Sequence, residues 1–234
     1  MAKRSQKSSG SRLTRTEILL GWCYLPIYLV ALNVLLSWLN RRFSLGLGVL
    51  AINGIYFGVN LLAVLLIFHH FLRQPFFGAQ FWGFVQALIL GFVFYWAVTW
   101  LVQLLLARFF PSFTIFNNET VGRLVLQNRY VMLAISLVFA PVIEETMVRG
   151  LVFGSLREGS RVMAYIVSAV LFTLMHNWQY LGAYPLSDVL LSCIPYLPAS
   201  VALAWTYEKS GTIWCAVTLH ALINAMSFGL IPTP

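Results

Sequence analysis

Long and nearly continuous runs of apolar residues dominate this sequence, and short polar stretches separate them. A bilayer core of about 30 Å is crossed by roughly 20 apolar residues of α-helix, so each long run predicts a membrane span. Because the runs are continuous rather than alternating, they favour helices over the strands of a membrane barrel. The seven predicted spans cover about 18–39, 47–68, 81–106, 129–156, 162–176, 189–207 and 212–230.

Prolines are expected to modify three of these helices, since a proline inside a helix removes a backbone hydrogen bond. Pro26 predicts a kink in the first span, and Pro141 predicts a bend or break in the fourth. Pro195 and Pro198 are expected to bend the sixth span. The polar stretch between the third and fourth spans predicts a loop.

Composition identifies the class of protein. Hydrophobic residues make up 60% of the chain and charged residues 9%, whereas a soluble domain carries roughly 25% charged residues. We therefore predict an all-α fold, a polytopic transmembrane bundle of about seven helices. The expected organisation is a basic tail at 1–16, N-terminal transmembrane helices at 17–123 and a core at 124–234. The three cysteines lack CxxC spacing and predict neither disulfides nor a zinc cluster.

The net charge of +8 is concentrated near the N-terminus. The first 16 residues contain five basic residues and no acid, namely Lys3, Arg4, Lys7, Arg12 and Arg15. This distribution is typical of a cytoplasmic anchor that contacts anionic lipids, so we expect lipids rather than nucleic acid as partners. We predict a multi-pass protein of the cell membrane with a cytoplasmic N-terminus and no removable signal peptide.

Candidate chemistry lies in the last four predicted spans, where three pairs of residues are each four positions apart. The pairs are Glu145 and Arg149, Phe172 and His176, and His220 and Asn224. On a helix this spacing places both members of a pair on one face. Titratable residues are costly inside a membrane, so groups at similar depth are expected to share a cavity and satisfy one another.

The two adjacent acids are expected to have different roles, because they point about 100° apart around a helix. Glu145 has Arg149 one turn away and is predicted to form a structural ion pair. Glu144 is then free to act as a general base, with His176 positioning the water. His220 and Asn224 can each donate a hydrogen bond to a developing oxyanion. Together these groups describe attack of water on an amide.

Residue types alone do not decide whether a metal takes part. Glu144, His176 and His220 could bind zinc, but ligands on three separate helices leave the question open. The chain lacks the His-Glu-x-x-His zinc motif, the Gly-x-Gly-Asp motif of aspartyl proteases and the Gly-x-Ser-x-Gly elbow. We expect no certain cofactor, with a divalent metal such as zinc as the alternative.

Two further functions fit the same residues. A non-catalytic peptide-binding protein would use the cavity to hold a peptide. A proton-coupled transporter would use glutamate and histidine as a relay, but it predicts internal repeats that this sequence lacks.

The three motifs, Glu-Glu-x-x-x-Arg at 144–149, Phe-x-x-x-His at 172–176 and His-x-x-x-Asn at 220–224, resemble those of the CPBP family. This family contains type II CAAX prenyl endopeptidases and bacteriocin-processing or immunity (Abi) proteins, so a bacteriocin-immunity protein is a further non-catalytic alternative. The resemblance covers roughly 124–230 and implies an intramembrane endopeptidase with a helical core.

Carried onto this chain, the resemblance implies that Glu144 and His176 activate water. It also implies that His220 and Asn224 form an oxyanion hole.

Arg149, Glu145 and Phe172 would support that site. Family members are often labelled metalloproteases, although a metal-free glutamate mechanism is also argued. The implied partner is a peptide or protein substrate, either lipidated or a leader-containing precursor.

Overall fold

A computed structural model of the protein describes residues 13–111, 113 and 115–229. Within these residues the chain is helical and forms no β-strand. The helices are α1 (Arg15–Arg42), α2 (Val49–Ile67), α3 (Phe81–Phe109), α4 (Phe116–Gln127), α5 (Arg129–Arg157), α6 (Arg161–Asn177), α7 (Leu186–Ser210) and α8 (Ile213–Gly229). The prediction of an all-α helical bundle is confirmed.

Every predicted span coincides with one of these helices. In the described part of the chain five helices, α1, α2, α3, α5 and α7, are long and apolar enough to cross a membrane. The other two predicted spans correspond to α6 and α8, which have 17 residues each.

The prediction of a loop between the third and fourth spans was wrong, because this stretch contains the helix α4. Leu124 and Val125 are buried on one side of α4, whereas Glu119 and Arg123 are exposed. The stretch is therefore a short amphipathic helix. Its many polar residues led to the prediction of a loop, although one face is apolar.

The prolines coincide with local changes in helical hydrogen bonding. Pro26 is followed by a π-helical turn at Ile27–Ala31, and a second π-helical turn at Ile135–Phe139 precedes Pro141. A short 3-10 segment at Ile194–Tyr196 lies in α7. Helix α5 does not break at its proline but continues from Arg129 to Arg157, because the wider π turn accommodates the missing N–H.

Helix α5 lies at the centre of the bundle. It packs against α6 and α8, and α7 packs against α3, α6 and α8. One buried apolar cluster joins α5 to α1 and α2 through residues such as Leu25, Val64 and Met147. Another joins α5 to α6, α7 and α8 around Val148 and Phe172. The catalytic candidates are thus carried by α5, α6 and α8, which share this second cluster.

The predicted basic tail lies mostly outside the described residues, which begin at residue 13. Arg15, which we assigned to the tail, is the first residue of α1. The helix begins with a capping box, in which Thr14 Oγ1 accepts from the Glu17 N–H and Glu17 Oε2 accepts from the Thr14 N–H. Glu17 Oε1 also accepts from the backbone N–H of Phe71 at 2.7 Å, which ties α1 to the turn after α2.

Candidate active site

The candidate residues meet at a cavity of about 470 Å³. Glu144, His176, His220 and Asn224 line it together with residues from α1, α2, α3 and α4. The lining comes from the C-terminal halves of α3, α6 and α8 and from the N-terminal halves of α2 and α5. Residues of α4 and of the middle of α1 and α7 complete it. The cavity therefore lies between the three motifs and the end of the bundle at which α1 ends.

Glu144 presents an unpaired oxygen to this cavity. Its side chain is 8% exposed, and Oε2 lies 3.8 Å from His176 Nε2 and 3.9 Å from His220 Nε2. These separations are too long for hydrogen bonds, and Oε2 has no hydrogen-bond partner. One water molecule can bridge gaps of this size and satisfy the carboxylate.

His176 is held with its Nε2 towards Glu144. Its Nδ1 lies 2.8 Å from the backbone oxygen of Phe172. A carbonyl only accepts, so Nδ1 carries the donated proton and Nε2 of the neutral ring is an acceptor. The ring also stacks on Tyr196 at 4.7 Å between centroids, and the Tyr196 hydroxyl donates to Asn118 Oδ1 of α4 at 3.3 Å.

Glu145 joins two basic side chains beneath the cavity. Its Oε1 accepts from Arg149 Nη1 at 3.0 Å and from His220 Nδ1 at 2.7 Å. Arg149 Nη2 also donates to the backbone oxygen and Oγ of Ser200 at 3.1 and 3.2 Å. Because Glu145 and Arg149 are both fully buried, each charge depends on these partners. Glu145 therefore orients His220 as well as pairing with Arg149.

Phe172 packs among the polar groups of the site. The Arg149 guanidinium lies 4.3 Å from its ring centroid, a cation–π distance. The His176 and His220 rings lie 4.8 and 5.9 Å from the same ring. Phe172 thus fixes the relative positions of the three side chains.

Asn224 lies at the cavity wall on α8. Its Nδ2 donates one hydrogen bond to the backbone oxygen of Ser136 at 2.8 Å. A carboxamide nitrogen carries two hydrogens, so a second donor is available to a ligand.

The local fold around the two glutamates is unusual. The α-helical segment Ala140–Glu145 lies between π-helical segments at Ile135–Phe139 and Thr146–Phe153. Segments of π-helix inside α-helices occur frequently at functional sites. The sequence indicated the pairing of Glu145 with Arg149, but the contacts of Glu145 with His220 and of Arg149 with Ser200 were missed. Ser200 had no distinguishing signal, because a serine in an apolar helix is common.

The donor set can be tested against zinc. In the described residues no group of three His, Cys, Asp or Glu side chains is placed to hold a metal ion. The distances of 3.8 and 3.9 Å from Glu144 to the two Nε2 atoms are a few tenths of an ångström wider than the roughly 3.4 Å between ligands of tetrahedral zinc. The donor types fit, since each Nε2 is free and each Nδ1 is hydrogen-bonded to an oxygen, as in histidine ligands.

The comparisons with known proteins concern the same part of the chain. Residues 126–226 match the family model of the type II CAAX prenyl endopeptidase Rce1-like proteins. No curated protein and no solved structure matches the chain. The matched segment contains all three motifs and most of α5–α8. The match supports the resemblance predicted from the motifs, and residues 126–226 are similar to the type II CAAX prenyl endopeptidase Rce1-like family.

Proposed function

We propose that this protein is an intramembrane endopeptidase in which Glu144 and His176 activate a water molecule for attack on a peptide bond. The family match supports peptide hydrolysis in general. The main support for the specific chemistry is the unpaired Glu144 Oε2, which faces the Nε2 atoms of His176 and His220 across gaps of 3.8 and 3.9 Å.

In the proposed reaction, the water donates hydrogen bonds to Glu144 Oε2 and His176 Nε2. Glu144 takes one proton as the water oxygen attacks the carbonyl carbon of the substrate. The C–O π electrons move to the carbonyl oxygen, which becomes the oxyanion. When the C–N bond breaks, Glu144 returns its proton to the leaving nitrogen, so that protons and electrons balance.

The oxyanion would be held by Asn224 and His220. Asn224 has a second amide hydrogen beyond the one it donates to Ser136. His220 can donate from Nε2 while Nδ1 remains bonded to Glu145, provided that the ring is protonated. The buried Arg149 pairs with Glu145 beneath these donors. Donors already oriented towards a developing charge lower the barrier effectively.

The proposal also covers a metal-containing form of the site. Glu144, His176 and His220 would hold the ion. A bound zinc would lower the pKa of the water and polarise the substrate carbonyl. Activity after chelation, measured with and without added zinc, distinguishes the two forms.

We further propose that the protein lies in the cell membrane with a cytoplasmic N-terminus. The basic residues of the tail support this orientation, since positive residues are retained in the cytoplasm. The cavity would then open towards the outer face, because it lies at the end of the bundle at which α1 ends.

Comparison of peptide termini in the host membrane proteome tests the function directly. The two strains would carry the wild type and the Glu144→Gln variant, with both proteins present at equal levels in the membrane. Termini found only with the wild type would support proteolysis and would identify the substrate, whether lipidated or a leader-containing precursor. Identical sets of termini would contradict the proposal and favour a peptide-binding or immunity function.

A further inference from the structure

One buried tyrosine at the cavity has a hydroxyl that the folded chain leaves without a partner. Tyr28 lies on α1, is 2% exposed and lines the cavity together with Glu144. Among the described residues, its hydroxyl forms no hydrogen bond. Buried tyrosine hydroxyls usually have a hydrogen-bond partner. The missing partner of Tyr28 is therefore expected to be a molecule that enters the cavity.

Helix α2 holds the backbone and the ring of Tyr28 in place. Tyr28 lies in the π-helical turn Ile27–Ala31, and its backbone oxygen accepts a hydrogen bond from the Tyr56 hydroxyl at 2.6 Å. The two tyrosine rings also stack, with 6.2 Å between their centroids and 25° between their planes. Segments of π-helix inside α-helices occur frequently at functional sites. The phenol of Tyr28 is therefore positioned before a ligand binds.

The same phenol lies in the electrostatic field of the proposed base. Of the charged side chains, Glu144 has the strongest electrostatic interaction with it. Tyr28 also shares a buried apolar cluster with Ile143 and Met147, which places α1 against the part of α5 that carries Glu144. A phenol is protonated at neutral pH and can donate a hydrogen bond. A neutral donor is thus available close to the group that would activate water.

We propose that Tyr28 is a further catalytic residue, whose hydroxyl donates a hydrogen bond to an oxygen of the tetrahedral intermediate. This inference rests on the proposed endopeptidase function and adds to it a residue from the N-terminal helices. Attack of water places negative charge on the oxygens of the intermediate, so an oriented donor stabilises the intermediate more than the substrate. The phenol keeps its proton throughout, and Glu144 still carries the proton from the water to the leaving nitrogen.

Replacement of Tyr28 by phenylalanine removes the hydroxyl and keeps the ring. The probe is a fluorogenic peptide, selected from a peptide library for cleavage by the full chain in detergent, with Glu144→Gln as the blank. We expect Tyr28→Phe to lower kcat about 100-fold and to change KM less than about twofold, because the lost hydrogen bond forms in the transition state. The melting temperature should be unchanged or higher, since the hydroxyl has no partner in the folded protein.

Tyr24→Phe is the matched control, because the hydroxyl of Tyr24 does have a partner. Tyr24 lies four residues before Tyr28 on α1 and donates to Asn60 Oδ1 at 2.7 Å, but it does not line the cavity. This variant should have a lower melting temperature and a wild-type kcat per folded molecule. The two variants therefore separate a hydroxyl that acts in the reaction from one that acts in the fold.

An analogue of the intermediate provides a readout other than turnover. The probe peptide is made with a phosphonamidate in place of the scissile amide, and its dissociation constant is measured for the wild type and both variants. Tyr28→Phe should weaken binding of this analogue at least about tenfold, because the tetrahedral oxygens lose a donor. Tyr24→Phe should bind it as the wild type does.

Two kinds of result would overturn the inference while leaving the endopeptidase function intact. The first is a kcat and an analogue affinity of Tyr28→Phe within about twofold of the wild type. The second is a loss of activity in Tyr28→Phe that only follows a loss of folded protein, as in a structural role. No cleavage of any library peptide by the wild-type protein would instead contradict the proposed function itself, and the inference with it.

Discussion

Helices α5 and α7 differ sharply from α1, α2 and α3 in burial. In the most apolar stretch of each helix, 61% of the residues of α5 and 50% of those of α7 are buried, compared with 17%, 11% and 6% in α1, α2 and α3. The outer helices expose many apolar side chains, as lipid requires, whereas α5 carries the buried charges of Glu144, Glu145 and Arg149. The contrast shows that charge is tolerated at depth where neighbouring helices provide a partner for each group.

The outer helices nevertheless contribute to the site. They provide no motif residue, but Asn33, Asn53 and Gln103 line the outer cavity. Helices α5, α6 and α8 thus supply the groups that would react. The outer helices supply polar side chains to the cavity wall. This division can be tested by substitutions that affect stability in one region and activity in the other.

The largest effect is expected for Arg149→Ala. Removal of one partner from a buried ion pair leaves the other charge uncompensated, at a cost of about 3–5 kcal/mol. We expect a large loss of folded protein and a lower melting temperature in detergent, because Glu145 loses the Arg149 charge and Ser200 loses its donor.

The matched control is Arg161→Ala. Arg161 pairs with Glu208 at 2.7 Å, but its side chain is 62% exposed. Its removal should leave the melting temperature nearly unchanged, since exposed ion pairs contribute little. Equal losses for the two variants would contradict the distinction between a buried and an exposed pair.

A somewhat smaller effect, on activity, is expected for Asn224→Leu. The loss of one oxyanion donor lowers kcat by about 10²–10³-fold. The unpaired Ser136 oxygen should cost stability only on the order of 1 kcal/mol. Turnover and melting temperature measured on the same preparation separate the two effects. A fall in activity that only follows the loss of folded protein would argue against the oxyanion role.

The contact between outer and central helices is tested by Gly91→Ala in α3. A Cβ at this position would collide with Thr206 Oγ1 of α7 and lie 3.1 Å from Leu219 of α8. We expect a loss of about 1–3 kcal/mol in stability, which thermal unfolding can measure. At Gly54 of α2 a Cβ would meet no atom within 4 Å. Gly54→Ala should therefore be neutral or stabilising, and destabilisation comparable to Gly91→Ala would contradict the packing account.

The sequence predicted the main elements because membrane spans leave a strong signal. All seven predicted spans coincide with helices, and spacing of four residues correctly placed Arg149 against Glu145. The motifs also indicated that Glu144, His176 and His220 would share a cavity, and the structure brings them together. Their catalytic roles remain predictions.

Other features depend on tertiary contacts that local pattern does not encode. Helix α4 was missed because its apolar face is short and its ends are polar. The bond from His220 to Glu145 joins residues 75 positions apart, so neither spacing nor hydropathy indicates it. The π-helical turns beside Pro141 also depend on packing and not on proline alone.

Comparison of Glu144→Gln with Glu145→Gln tests the central claim most directly. Both variants remove one negative charge from adjacent positions, and each is assayed for peptide cleavage and thermal unfolding in the same detergent. We predict that Glu144→Gln loses at least about 100-fold in cleavage and keeps the wild-type melting temperature. Glu145→Gln should be destabilised, because Arg149 and His220 lose their shared carboxylate. Retained cleavage in Glu144→Gln, or the same loss of stability in both variants, would contradict the account.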